Sequence, residues 1–356
     1  MGGGTPSSSN ESFWQGTIPW ISSSDIVEND IKNISISRYI TEEAIAHSAT
    51  KLCPAPSILI VSRVGVGKIA LSKEAICTSQ DFCNLINIKV EPIFLTYCLS
   101  QIMKRKSMEV QGTSIKGITT SEIQKISINI PSLQEQKKIG KILSLLDERI
   151  ATQNKIIDKL QSLIKGIVDC TILRKEKNAI VGDVCSISEQ IRAEANIDDI
   201  ITVRLHGNGV CKSSAENLQL GATQYYRRRA GQLIYGKQNF HNGAIGIVPI
   251  SLDNGITSKD IPSFDIDEMK CNSVYLLAQL QSPQYYKPAE ALTTGTGSKR
   301  LKEETFLKMP IVLPNKREQD NIAVLIHRAS MNLDHAKRLL ELLSIQKQFL
   351  LRQMFI

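Results

Sequence analysis

A lysine after a glycine, a Glu-Gln-Lys triplet, five histidines and eight cysteines are the places where this sequence could carry chemistry. Gly67-Lys68 resembles the end of a phosphate-cradling loop. That loop needs a glycine five residues ahead, so that main-chain N–H groups can close round the phosphate, and a hydroxyl after the lysine for the metal. Here Ser62 stands at the glycine position and Ile69 at the hydroxyl position, so Lys68 is expected on a turn between strands. Glu135-Gln136-Lys137 could end a nuclease motif, but it lacks a matched upstream aspartate and falls in the first turn of a helical pattern, where a carboxylate caps. His47, His206, His241, His327 and His335 are scattered and read as surface or packing residues. No C-x-x-C pair and no Cys/His cluster with zinc spacing occurs, so the cysteines read as small buried apolar residues in a reducing cytosol. An adenine methyltransferase would need a Pro-Pro turn to hold a flipped base, and no Pro-Pro pair exists. No catalytic or metal centre is expected.

What remains is a chemistry of contact. The 356 residues carry a formal charge of +8 with a pI near 9.0, which suits a polyanionic partner, nucleic acid being the commonest. Reading a duplex needs side chains on base edges flanked by cations on phosphates. Tyr226, Arg227, Arg228 and Arg229 form the densest basic–aromatic cluster. Lys237, Gln238 and Asn239 supply donors, and Gln or Asn can pair adenine bidentately. Ser298, Lys299 and Arg300 lie in a Gly-Thr-Gly-Ser loop suited to phosphate. Thr113, Ser114 and Lys116 lie in its twin. Ser22, Ser23, Ser24, Arg63 and Lys68 complete the candidates. Lys104-Arg105-Lys106 reads as a solvated helix end.

The elements that must position these residues occur twice. Gly112-Thr113-Ser114-Ile115-Lys116 matches Gly295-Thr296-Gly297-Ser298-Lys299 at an offset of 183, and the offset holds through Ile128-Asn129-Ile130-Pro131 and Ile311-Val312-Leu313-Pro314 to Glu135-Gln136 and Glu318-Gln319. Upstream the match is looser and the offset drifts, as if a shared frame carried two specificities. Ile126, Ile128 and Ile130, with Met309, Ile311 and Leu313, alternate at the period of a strand. Helices follow, with Ser132 and Asn315 as N-caps and Glu135 and Glu318 as capping-box partners. Leu143, Leu146, Ile150, Ile157 and Leu160 in the first helix, and Leu333, Leu340 and Leu343 in the second, continue a 3–4 apolar spacing over four heptads. Each predicts a rod of roughly 60 Å, and antiparallel pairing of the two would bury both seams. The expected division is 1–131 and 176–314 for two α/β domains, with spacer helices at 132–175 and 315–356.

The opening Gly3-Gly4-Thr5-Pro6-Ser7, the stretch from Trp14 through Ile18-Pro19-Trp20-Ile21-Ser22, the Gly112 loop and the helix from Ile139 to Asp147 together resemble specificity subunits of type I restriction–modification systems. The resemblance covers nearly the whole chain twice. It implies two α/β target-recognition domains, a pseudo-two-fold internal repeat, and a pair of long antiparallel coiled-coil helices between the domains. It implies double-stranded DNA as partner, read as a bipartite asymmetric site, with two methyltransferase subunits that use S-adenosylmethionine. Restriction adds two translocase–nuclease subunits that use ATP and magnesium. The chain itself would bind no cofactor. One departure is that the second domain has a lead-in from Ile180 to Ile187, whereas the first begins after the equivalent point. An absent edge strand would leave the first sheet less stable.

No run of about 18 apolar residues and no signal-peptide pattern occurs, so a cytoplasmic protein without membrane contact is expected. Two other readings remain open from the residues alone. One is a coiled-coil assembly scaffold with weak, salt-insensitive DNA binding, and the other is a nuclease with an unrecognised centre. On the specificity-subunit reading, inserting a few residues near position 170 should change the gap between the half-sites.

Overall fold

In the computed structural model, residues 1–110, 117–213, 223–295 and 299–355 are described, apart from the side chains of 109 and 110. Contacts divide the chain into two units, Met1–Asn154 with Arg338–Ile356, and Lys155–Lys337.

The first unit begins with β1 (Ile18–Ile21), β2 (Arg38–Ile40), α1 (Glu42–Ala46), β3 (Leu52–Cys53), β4 (Ser57–Val61), β5 (Ile69–Ser72), β6 (Ile76–Thr78) and β7 (Phe82–Leu85). Then come α2 (Pro92–Val110), α3 (Thr120–Gln124) and α4 (Leu133–Val168), whose first part belongs to this unit. The strands form two small sheets, ordered β2-β1-β6-β3 and β5-β4-β7. β4 is buried along its whole length, which explains why Ser-Ile-Leu-Ile-Val reads as a continuous apolar run rather than an alternation. α2 lays Phe94, Tyr97 and Met103 against it.

The second unit contains β8 (Ala179–Ile180), β9 (Cys185–Ile187), β10 (Arg192–Ala193), β11 (Ile201–Val203), β12 (Val210–Lys212), β13 (Tyr225–Arg227), β14 (Leu233–Tyr235), β15 (Ile245–Ile247), β16 (Ile256–Ser258) and β17 (Ser263–Ile266). Its helices are α5 (Ser273–Leu280), α6 (Pro283–Tyr286) and α7 (Glu303–Leu307). β18 (Pro310–Ile311) and the first part of α8 (Lys316–Met354) complete it. The sheets are β15-β14-β17-β9, β10-β13-β16, β11-β12 and β18-β8. Tyr235, Phe240, Phe264 and Phe306 interlock at the core, with ring centroids 4.7–5.7 Å apart.

Mixed helix and strand content is what the sequence led us to expect. Each unit holds several short sheets rather than one. Among the described strand pairs only β1 with β6 is parallel.

The repeat is visible in detail. β4 lies between β5 and β7 as β14 lies between β15 and β17. Gln136 donates to the Pro131 carbonyl (2.8 Å) and accepts from the Glu91 amide (3.0 Å). Gln319, 183 residues on, does the same with Pro314 (2.8 Å) and Asn272 (2.9 Å). Each glutamine is buried and ties the start of a long helix to the start of a core helix.

The caps differ slightly from expectation. Ser132 and Glu135 close a reciprocal box (3.0 and 3.4 Å). Asn315 accepts from the Glu318 amide at 3.0 Å, but the Glu318 carboxylate pairs with Lys175 instead of turning back. The Ile126–Ile128–Ile130 strand does not form, whereas β18 does: among the described residues β18 has a partner strand, β8, and Ile126–Ile130 has none.

The seam residues are all wholly or partly buried. In the first unit Leu143, Leu146 and Leu343 are buried and Ile150 and Leu340 are half-buried; in the second, Ile157, Leu160 and Leu333 are half-buried and Ala329 and Ala336 buried. Lys347, the polar interruption of the second seam, ion-pairs with Asp147, which also accepts from the Tyr97 hydroxyl at 2.5 Å. A charged pair at such a position fixes helix register.

Six cysteines are buried, as expected, but Cys170 is exposed and Cys211 half-buried. Burial pushes the Cys77, Cys185 and Cys271 thiols up to about 12 and raises Cys53 and Cys98 as well. Since the thiolate is the nucleophile, Ellman's reagent at pH 8 should modify two thiols quickly and the other six only on unfolding. Fast reaction of a third would contradict this packing.

Candidate nucleic-acid interface

In the first unit, three separate stretches meet at one end of β4. The β4–β5 turn carries Arg63, which is exposed, and Lys68. Gly65 and Gly67 take φ of 84° and 101° there, a region open mainly to glycine. Lys68 Nζ donates to the Ser23 carbonyl at 3.2 Å, which brings the Ser22-Ser23-Ser24 turn alongside. That turn is fixed by Asp25, which accepts from the Ser22 amide (2.7 Å) and pairs with Arg38, itself 4.5 Å over the Trp20 ring. The third stretch returns at Ile118, whose amide donates to the Ser62 carbonyl at 2.8 Å. A Cβ on Gly117 would stand 2.5 Å from that carbonyl oxygen, so the approach requires glycine. Thr113, Ser114 and Lys116 lie outside the described residues, immediately before this junction.

The second unit repeats the junction with other side chains. The Leu301 amide donates to the Lys237 carbonyl (2.9 Å), and the Lys237 amide to Asp260 (2.9 Å). The matching bond in the first unit runs from Ser62 to Asp81, at 2.8 Å. Gln238 and Asn239 are exposed beside it. Ser298 lies outside the described residues. The neighbouring cations already have carboxylates: Lys237 with Glu303 (2.6 Å), Lys299 with Glu290 (3.7 Å) and Arg300 with Asp260 (3.2 Å). A phosphate would have to displace these pairs, and the exposed ones are weak.

The basic–aromatic cluster divides. Arg227 and Arg229 are exposed, and among the described residues their side chains, like that of Arg63, make no hydrogen bond or ion pair. Arg228 is fully buried. Its guanidinium donates to Thr257 Oγ1 (2.7 Å), Ser263 Oγ (2.9 Å), Gln190 Oε1 (3.3 Å) and the Ile261 carbonyl (3.0 Å). Burial pulls it down to about 10, so it stays charged at neutral pH. Arg228 therefore comes off the list of DNA contacts: it ties the end of β13 to β16, β17 and the segment ahead of β10. Sequence reading missed Arg192, exposed on β10 and directly across from half-buried Tyr226 in register. A lone arginine gives no signal until its strand is paired with the basic one.

Two units of one plan thus each gather hydroxyls, amides and cations onto loops at one end of a sheet. Residues 1–162 match the family described as Type I restriction modification DNA specificity domain. The chain is 33% identical over 169 residues to the type I restriction enzyme MjaIX specificity subunit of Methanocaldococcus jannaschii, covering 45% of this chain and 38% of that one. It is 36% identical over 156 residues to the EcoR124I/EcoR124II specificity subunit of Escherichia coli, covering 41% and 38%. These matches span less than two-fifths of either relative. The solved type I S subunit from M. genitalium shares the fold, with a TM-score of 0.65 at 14% identity, over 100% of this chain and 93% of that one. The chain is thus related to the specificity subunits of type I restriction–modification systems. Among the described residues, no helix is long and apolar enough to cross a membrane.

Proposed function

We propose that this chain is the sequence-reading, non-catalytic subunit of a type I restriction–modification assembly. Each unit reads one half of a split, asymmetric site in double-stranded DNA, and the long helices set the gap between the halves. The observation that carries this reading is the repeated junction. It has the same main-chain frame in both units, with Ser22–Ser24, Arg63 and Lys68 in one and Lys237, Gln238, Asn239 and Arg300 in the other. A common frame with unlike side chains suits two unlike half-sites. Arg227, Arg229 and Arg192 supply further contacts in the second unit. S-adenosylmethionine, ATP and magnesium belong to the partner subunits.

The docking of methyltransferase subunits is supported by apolar residues on the helices. On α4, Ile142, Leu145, Ile156 and Leu163 are 41–52% exposed; on α8, Leu339, Leu342, Ile345 and Phe349 are 47–60% exposed. Such apolar surface marks an interaction site, and helices of a partner would cover it. The same surface favours the scaffold reading.

Co-expression with a neighbouring methyltransferase and single-molecule mapping of adenine methylation tests the proposal. Two unlike half-sites around a fixed gap are expected. DNA affinity of the complex should fall steeply between 50 and 200 mM salt. A complex that forms without methylation, and binds DNA weakly and independently of salt, would favour the scaffold instead.

A further inference from the structure

Main-chain hydrogen bonds put the turn after β4 and the turn after β14 in register. In the first unit the Val61 amide donates to the Lys68 carbonyl (3.0 Å) and the Ser62 amide to the Asp81 carbonyl (2.8 Å), while the Ser62 carbonyl accepts from the Ile118 amide (2.8 Å). In the second unit the Gly236 amide donates to the Ala244 carbonyl (2.9 Å) and the Lys237 amide to the Asp260 carbonyl (2.9 Å), while the Lys237 carbonyl accepts from the Leu301 amide (2.9 Å). Ser62 therefore corresponds to Lys237. The next two residues stand at equivalent places: Arg63-Val64 in one turn and Gln238-Asn239 in the other.

All four are exposed, and Val64 is 66% exposed although apolar. The turns that carry them are held. Gly65 and Gly67 at positive φ and the bond from Lys68 to the Ser23 carbonyl fix the first. Wholly buried Phe240 and Gly243, with φ of 76°, fix the second. Among the described residues the side chains of Arg63 and Gln238 make no hydrogen bond or ion pair, whereas Asn239 Oδ1 already accepts from Asn242 at 3.2 Å. The first turn thus offers a free guanidinium beside an apolar side chain, and the second offers a free carboxamide. In the major groove a guanidinium fork matches O6 and N7 of guanine, an apolar side chain meets the C5 methyl of thymine, and a carboxamide pairs with N6 and N7 of adenine. Adjacent Cα atoms lie about 3.8 Å apart, close to the rise of about 3.4 Å per base pair. Residues 63 and 64 can therefore serve neighbouring base pairs.

We infer that residues 63, 64 and 238 choose the bases. Arg63 reads a guanine and Val64 the C5 methyl of a thymine on the neighbouring base pair of one half-site, and Gln238 reads an adenine in the other. This rests on the proposed role of the two turns as DNA contacts. It makes Val64, which carries no polar group, a specificity-determining residue. Lys68 acts as a positioning residue through its hold on Ser23.

The test maps adenine methylation by the chain co-expressed with its methyltransferase, for the parent and for Arg63→Ala, Val64→Ala and Gln238→Ala. Binding of each complex is then measured on duplexes carrying the parental site, with thymines replaced one at a time by deoxyuridine. One half-site should hold a G·C pair beside an A·T pair. Arg63→Ala should relax that G·C position and weaken binding roughly 5- to 100-fold. Gln238→Ala should relax an A·T position in the other half alone. Deoxyuridine lacks the methyl group, so at one thymine of the first half it should weaken parental binding about fourfold, the effect of one buried methyl. Val64→Ala should bind the parental duplex more weakly and lose that sensitivity. All three variants should melt like the parent, since the side chains are exposed. Parental binding indifferent to deoxyuridine at every thymine, or a Val64→Ala protein that keeps the sensitivity, would overturn the assignment of Val64 while DNA reading stands. Relaxation of the same half by Arg63→Ala and Gln238→Ala would overturn the register. Binding without sequence preference by parent and variants alike would overturn both this assignment and the proposed function.

Discussion

Arg228→Ala should lower stability by on the order of 3–5 kcal/mol, whereas Arg227→Ala and Arg229→Ala should leave it within about 0.5 kcal/mol. The three arginines are adjacent in sequence, and their environments separate them. Without Arg228, the acceptors on Thr257, Ser263, Gln190 and Ile261 lose their donor inside the protein, and a side chain's volume is left empty. Each hydrogen bond from a charged donor contributes roughly 1.5–3 kcal/mol, and the losses do not add fully. For a unit of this size the melting temperature should drop by about 10 °C. Arg228→Lys should recover only part of the loss, since an ammonium keeps the charge but not the planar fork that reaches four acceptors. At Arg227 and Arg229 the expectation reverses: folding unchanged, and DNA affinity reduced roughly 5- to 100-fold if the residue reads a base edge. If it touches phosphate, the salt slope should instead fall by about one. Thermal melts and filter binding on the same three variants decide the matter. An Arg228→Ala protein that melts like the parent but fails on DNA would show that the guanidinium faces the ligand.

The fold's periodic parts were legible in the sequence and its paired parts were not. Heptads at Leu143, Leu146 and Leu343 and the caps at Ser132 and Asn315 are local patterns, set by which face of a helix avoids water. In the structure the three leucines are buried, and Ser132 and Asn315 accept the amides of Glu135 and Glu318. The constant offset gave the repeat, and Gln136 and Gln319 now show why it is strictest there: each makes the same two hydrogen bonds between a long helix and a core helix. Strands depend on partners. Ile126-x-Ile128-x-Ile130 has the alternation of a strand but, among the described residues, none to pair with, whereas Pro310–Ile311 has β8. For the site, Lys68, Arg63 and Ser23 could be named from residue type, but their convergence rests on a long-range contact that no spacing announces. Arg228 could not be told from Arg227 because a run of arginines carries no burial signal. That distinction comes from β16 and β17, about 30 and 35 residues downstream.

A heptad inserted into each long helix, at the 154/155 and 337/338 junctions, should lengthen the gap in the DNA site by about three base pairs. The argument rests on the proposed role of the helices as a ruler. Seven residues add about 10 Å at 1.5 Å per residue, and duplex DNA rises about 3.4 Å per base pair. Seven is also nearly two helical turns, so the apolar seam keeps its face. An insertion near residue 170 now looks a poorer place for the experiment. Ile172 is wholly buried in the second unit's core and Lys175 holds Glu318, so added residues there would damage folding before they changed a distance. The units divide at Asn154 and Lys337, where an insertion leaves each core intact. Both helices must be lengthened together, because one alone would put its seam out of register with the other. Methylation mapping of the lengthened protein, co-expressed with its methyltransferase, reads the result: both half-sites unchanged in sequence, and the gap longer by about three. An unchanged gap with full methylation would mean that the helices do not set the spacing. Loss of one half-site alone would place the damage in that unit rather than in the ruler.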